Sequence, residues 1–151
     1  MFSFRRDSSS PSLPGGYILV ANSPPSPDAL NRLLSRCQEE TYAAKKLALA
    51  IDKSVCYFSI IQESNGKLAG FVRATSDYGL NANLWNLVAE PGEYQAVLLA
   101  VLVHEVMLKL KRQMPGCSVS IAAPQAAKQA LQNQGFLLDP GGIQAMGIRL
   151  P

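Results

Sequence analysis

The hydrophobic pattern falls into blocks whose period changes along the chain. Tyr17 to Ala21 (YILVA) is an apolar run closed by Asn22-Ser23-Pro24-Pro25, which predicts a short strand and then a break. Pro27 opens a helix that Ser26 or Asp28 can cap, and Leu30, Leu33, Leu34 and Cys37 recur along it at helical spacing. A second helix is expected over 41–53, with Leu47, Ala48 and Ile51 on its apolar face and Lys45, Lys46 and Asp52 toward water. From Ser54 the period shortens. Val55 to Gln62 (VCYFSIIQ) is rich in β-branched and aromatic residues, Asn65-Gly66 is a strong hairpin signal, and Leu68 to Thr75 (LAGFVRAT) is the return strand. The turn Asp77-Tyr78-Gly79 leads to a third strand of this meander, at Asn83 to Val88.

The rest of the chain is arranged around the stretch from Asn83 to Met114. Its strand, carried by Leu84, Trp85, Leu87 and Val88, runs into Ala89-Glu90-Pro91-Gly92, which no helix interior tolerates. A long helix is expected from Glu93 through Arg112, with acids in its first turn and Lys109, Lys111 and Arg112 in its last. Ala96 to Val103 carries no polar residue on any face, so that half of the helix should be enclosed on several sides. The helix start offers backbone N–H groups to an anion. Pro115-Gly116 marks a stop, and Cys117 to Ala122 (CSVSIA) reads as a strand parallel to the one before the helix. Pro124 opens a last helix that Gly135 ends in a left-handed cap. Phe136-Leu137-Leu138 should re-enter the core, and Ile143 to Leu150 should close the sheet as a final strand. The expected fold class is α/β, a mixed, mostly antiparallel central sheet flanked by helices.

Composition narrows the function. A chain of 151 residues with 48% hydrophobic and 17% charged residues forms one globular domain, here 17–151 behind a flexible Ser/Pro/Gly tail at 1–16. A net charge of +3 from scattered basic pairs does not argue for nucleic acid. Three widely spaced cysteines, Cys37, Cys56 and Cys117, and a single histidine exclude a disulfide framework and a histidine metal site, and point to a reducing compartment. No apolar run approaches the ~18 residues of a membrane span. The expected location is the cytoplasm, with no membrane partner. Organelle targeting by the Arg- and Ser-containing leader is the alternative, against which the leader is short and carries Asp7.

The order of elements, "GKLAGFVR" at Gly66 to Arg73 and "AAKQALQNQGF" at Ala126 to Phe136 together resemble the GCN5-related N-acetyltransferase (GNAT) family, from about Tyr17 to Leu150. The resemblance implies an acyl-CoA N-acyltransferase architecture in which the fourth and fifth strands splay apart. The pantetheine arm of acetyl-CoA would then pair with backbone groups of Leu87, Val88 and Ala89. Its pyrophosphate would sit on Gly92, Glu93, Tyr94, Gln95 and Ala96. The activity it implies is transfer of an acetyl group to the amine of a small molecule or protein, without a metal.

The departures from the family pattern are specific. The usual loop, Q/R-x-x-G-x-G/A, is replaced by Glu90-Pro91-Gly92-Glu93-Tyr94-Gln95, with one glycine and two carboxylates. Leu131 stands where the family's fourth helix usually carries a tyrosine acid, and Pro124 where an asparagine is common. Glu90, Glu93 or a water chain is then the candidate base and Tyr94 or Tyr78 the candidate acid. For the two glutamates the competing reading is helix-stabilising charge, and for Tyr94 it is packing. His104 reads as a structural, partly buried residue. Trp85 and Asn86 alternate, so one should face the helices and the other the opposite side, with the core as the default place for Trp85 and an acceptor pocket as the alternative for either. A second hypothesis takes the losses together: a catalytically inactive GNAT-fold module, a pseudoenzyme that binds a protein partner, assembles as a homodimer or senses an acyl-CoA.

Overall fold

The computed structural model describes residues 10–21 and 23–151. Most of the expected tail, residues 1–9, lies outside the described residues, and within its remainder Leu13 packs against the main core. The elements are β1 (Tyr17–Val20), α1 (Pro27–Arg36), α2 (Ala44–Asp52), β2 (Cys56–Gln62), β3 (Leu68–Ser76), β4 (Asn81–Ala89), α3 (Gln95–Gln113), β5 (Ser118–Ser120) and α4 (Lys128–Asn133), the last preceded by a single 3-10 turn at Gln125–Ala127. The sheet order is β1-β2-β3-β4-β5, antiparallel through β4, with β5 parallel to β4 as the crossover through α3 requires.

Helices cover both faces. On one side α3 and α4 bury Leu98, Leu102, Val106 and Leu131 against Phe58, Ile60, Val72 and Leu84. On the other, α1 and α2 bury Leu30, Leu33, Leu34, Leu47 and Ile51 against Leu68, Phe71 and Val88. Ser26 caps α1 by accepting from the Ala29 N–H at 3.1 Å. A Cβ on Gly70 would stand 3.1 Å from Leu102 Cδ1, so the bare glycine sets how closely α3 lies on β3. The Asn65-Gly66 hairpin and the left-handed Gly135 stop (φ +97°) form as the sequence predicts.

Four expectations are corrected. Ala48 is exposed, so the apolar face of α2 is Leu47 and Ile51 alone. Helix α3 starts at Gln95 after Tyr94 at its N-cap position, and no acid stands in its first turn, because Pro91 and Gly92 (φ +140°) keep Glu93 in the loop. Leu137 and Leu138 are exposed, and only Phe136 of that run reaches the core. The closing strand does not form. Asp139, Gly141 and Gly142 all take left-handed conformations (φ +42°, +67° and +76°) and turn the chain away from the short edge of β5. Arg149 is thereby brought to Glu40, and Met146 stands 96% exposed.

Candidate active site

Strand β4 meets β5 only through Asn81, Ala82 and Asn83. Beyond Asn83, no strand among the described residues pairs this edge of β4. The chain after β5 leaves through Ile121 to Pro124, and a cleft of about 610 Å³ opens between it and β4, its outer wall formed by the α1–α2 connection. A second cavity of about 50 Å³ continues the cleft toward the start of α3, lined by Cys37, Ala89 and Gln95. Glu39, Leu87, Val88 and Pro124 line both.

A bulge shapes the floor. Phe71 pairs with Val88 but Arg73 pairs with Trp85, so β4 spends one residue more than β3 over the same span. The extra residue takes up its place through Asn86, which is left-handed at φ +53°. Period-two alternation fails there, and Trp85 and Asn86 both line the cleft instead of facing opposite sides. Trp85 is 45% exposed, so its default place in the core is overturned. Its indole N–H donates to Thr75 Oγ1 at 2.7 Å. Arg73 lies 5.9 Å from the Trp85 ring centroid and donates from Nε to Asn86 Oδ1 at 2.7 Å. Burial lowers the Arg73 pKa from its ordinary value, and the neighbouring Tyr42 opposes that shift.

The outer wall is set by the end of α1. Gln38 is left-handed (φ +58°), and the Glu39 N–H returns to the Leu34 carbonyl at 2.9 Å, a Schellman-type stop without a glycine. It delivers Glu39 and Glu40 to the cleft. Asn31 clamps the next residues, its amide donating to the Tyr42 carbonyl at 2.8 Å and its Oδ1 accepting from the Tyr42 N–H at 3.0 Å. The Cys37 thiol donates to the Ala89 carbonyl at 3.2 Å, and Gln95 Nε2 donates to the same oxygen at 3.1 Å. Burial raises the Cys37 pKa against the opposing pull of Arg36.

The loop into α3 is bare. Among the described residues no acceptor takes the N–H groups of Gly92, Glu93, Tyr94, Ala96 or Val97, and no side chain caps the helix. Nothing lies within 4 Å of where a Cβ on Gly92 would be. Glu90, a candidate base in the sequence, lines neither cavity. Its carboxylate meets Lys67 Nζ at 2.6 Å and Arg36 Nε at 3.4 Å. Tyr94, the candidate acid, packs its ring edge-on against Tyr17 at 5.8 Å and also lies outside both cavities. Tyr78 is exposed in the β3–β4 turn, and Leu131 is 2% exposed within the core. His104 is half-buried with Gln134 Nε2 at 3.5 Å from its Nδ1, which fits a structural role. The sequence reading missed Glu39 and Tyr42 as cleft residues, and Arg73 as the group that holds Asn86 and the Trp85 ring of its lining. Arg73, a lone charge inside an apolar strand, was the one signal that marked the place. Among the described residues no three His, Cys, Asp or Glu side chains gather as a metal site, and no helix is long and apolar enough to cross a membrane.

A mixed five-stranded sheet flanked by helices, whose fourth and fifth strands part over a cleft, is the architecture of the acyl-CoA N-acyltransferases. Its likeness to a Staphylococcus aureus protein described as a probable acetyltransferase supports this fold, with a TM-score of 0.76 over 88% of this chain and 100% of that one at 15% identity. No protein-family model matches the chain. It is 35% identical over 104 residues to the uncharacterized N-acetyltransferase ycf52 of Pyropia yezoensis, covering 68% of this chain and 59% of that protein. It is 34% identical over 85 residues to the chloroplastic GCN5-related N-acetyltransferase 2 of Arabidopsis thaliana, covering 56% of this chain and 33% of that protein. The chain belongs to the GCN5-related N-acetyltransferase family. It spans less than two thirds of these curated relatives' own length.

Proposed function

We propose that this chain transfers an acetyl group from acetyl-CoA to a primary amine, and that it does so at the cleft beside β4. The observation that carries the reading is the unpaired edge of β4 running from the cleft to the bare N–H groups before α3. The residues present fit the cosubstrate. Five backbone donors without acceptors are chemically suited to a pyrophosphate, and the open space beside Gly92 lets it approach the backbone. The acidic appearance of the loop is offset, because Arg36 and Lys67 flank Glu90.

When bound, acetyl-CoA supplies an acyl group activated as a thioester. The backbone of Leu87, Val88 and Ala89 would hold its pantetheine arm, and the N–H groups of Gly92, Glu93, Tyr94 and Ala96 its phosphates. Gln95 acts differently, as its side chain fixes the Ala89 carbonyl. A backbone N–H on the β4 edge that meets the thioester carbonyl would stabilise the oxyanion as it forms. The amine would enter past Trp85. Its identity is open to small molecules and to protein amines, and the compartment to the cytoplasm or, by the Arabidopsis relative, the chloroplast.

Calorimetric titration with acetyl-CoA tests the reading. Micromolar affinity, about −8 kcal/mol, is expected, and Gly92→Val should weaken it about tenfold, because a β-branched residue cannot hold φ +140°. A second reading, the inactive binding, dimerising or acyl-CoA-sensing module, is favoured by the buried Leu131 in place of a proton donor. It takes over if the protein binds acetyl-CoA but turns nothing over. The absence of both heat and thermal stabilisation at millimolar acetyl-CoA leaves only its partner-binding form.

A further inference from the structure

The expected proton donors are out of place: Leu131 has no hydroxyl, Tyr94 packs on Tyr17 and Glu90 is held by two cations. The cleft nonetheless contains a phenol and a carboxylate, both on the α1–α2 connection. Tyr42 lines the larger cavity opposite Trp85 to Val88, 40% exposed as a residue and with its backbone clamped twice by Asn31. Glu39 lines both cavities where they join, beside Leu87 and Val88. The two neighbouring acids differ. Glu40 is matched by Arg149, whereas Glu39 has no ion-pair partner among the described residues. Arg73, half-buried against Trp85, is the cation whose field reaches Tyr42.

Resting on the acetyl-transfer reading above, we infer that the α1–α2 connection supplies the acid–base pair, with Glu39 as base and Tyr42 as acid. The step balances. As the C–N bond forms, the amine nitrogen loses a proton to the Glu39 carboxylate, directly or through a water. As the C–S bond breaks, the Tyr42 hydroxyl gives its proton to the departing sulfur. Return of the proton from Glu39 to Tyr42 through solvent restores both groups, and no other reactant is consumed.

Two measurements test this, one of them independent of turnover. In the first, Tyr42→Cys is incubated with coenzyme A disulfide and weighed by intact mass spectrometry. If position 42 adjoins the sulfur, a mixed disulfide forms beyond that given by the native Cys37, Cys56 and Cys117 in the unaltered chain, and saturating acetyl-CoA suppresses it. An adduct no greater than that of the unaltered chain overturns the assignment of Tyr42. In the second, thiol release from acetyl-CoA is followed with a panel of ethanolamine, cadaverine, phenethylamine and a lysine-containing peptide. Tyr42→Phe and Glu39→Gln should each lower kcat about 100-fold while the calorimetric affinity for acetyl-CoA stays within about twofold. Tyr78→Phe, in an exposed turn, should change neither. Turnover that survives either cleft substitution overturns the pair, as does a chain that binds acetyl-CoA yet releases no thiol with any amine. A chain that binds no acetyl-CoA at all refutes the acetyl-transfer reading itself, and this inference with it.

Discussion

The bulge at Asn86 can be weighed by substitution. Asn86 holds φ +53°, a conformation that asparagine tolerates and a β-branched residue does not, and its Oδ1 accepts from the half-buried Arg73 at 2.7 Å. Asn86→Val meets both costs. The left-handed backbone adds about 1–2 kcal/mol, and the lost charge-assisted hydrogen bond, with Arg73 Nε left without an acceptor, about 1.5–3 kcal/mol. Together they predict a loss of about 2.5–5 kcal/mol. Asn86→Gly relieves the first cost and keeps the second, so it should lose about 1.5–3 kcal/mol, offset little by its backbone freedom. Asn86→Asp keeps an acceptor for Arg73 and tolerates the same φ, so it should be near neutral. Urea denaturation followed by far-UV circular dichroism gives the three values, and unchanged m-values would show that only stability has moved. Equal losses for Val and Gly would refute the backbone part of the argument. A Val variant within about 1 kcal/mol of the parent would refute both parts.

Other substitutions test the packing and the turns. Gly70→Val places a side chain where even a Cβ would stand 3.1 Å from Leu102 Cδ1, and overpacking of about 1–3 kcal/mol should lower the thermal midpoint; an unchanged midpoint would mean that α3 can lift freely from β3. The Asp77 carboxylate accepts from the backbone N–H groups of Asn81, Gly79 and Leu80, and these hydrogen bonds hold its pKa below the usual carboxylate range. The folded pKa is depressed, so its contribution is full above the unfolded value of ~4 and is lost as pH falls through the folded one. Asp77→Asn should therefore flatten stability against pH in the acid limb, and an unaltered limb would refute the role of the turn.

How much of this was legible follows from what each element depends on. Strands β1 to β4 and helices α1 to α3 are written in local periodicity, in Ser26-Pro27, in Asn65-Gly66 and in Pro91-Gly92, so they could be placed without knowing their neighbours. The last segment could not. Ile143 to Leu150 has the apolar content of a strand, but whether it pairs depends on an edge of β5 that is three residues long and on the left-handed turn before it. The cleft residues were hidden for a similar reason. Glu39 and Tyr42 follow Gln38, whose left-handed conformation no glycine announces; Trp85 was misplaced because the core is the default for a large aromatic, and it was set opposite Asn86 because alternation was carried through the bulge there. The loop before α3 was legible from its punctuation, whereas Glu90 was taken for a chemical group before its two cationic partners could be seen.

In a phosphate loop glycine supplies two things, backbone freedom where φ is positive and space for close approach, and neither requires a glycine at every position. This loop needs positive φ at Gly92 alone, and it is open there. A phosphate would use backbone N–H groups, and five of them remain without acceptors from Gly92 to Val97, since Pro91 gives up a donor just before they begin. Charge is balanced once partners are counted, because the two cations at Glu90, Arg36 and Lys67, match the two carboxylates of Glu90 and Glu93. The departure from the family pattern therefore falls more heavily on proton transfer than on cofactor binding. Leu131 removes a hydroxyl that backbone geometry cannot replace, and under the proposed function Tyr42 in the cleft would make up that loss.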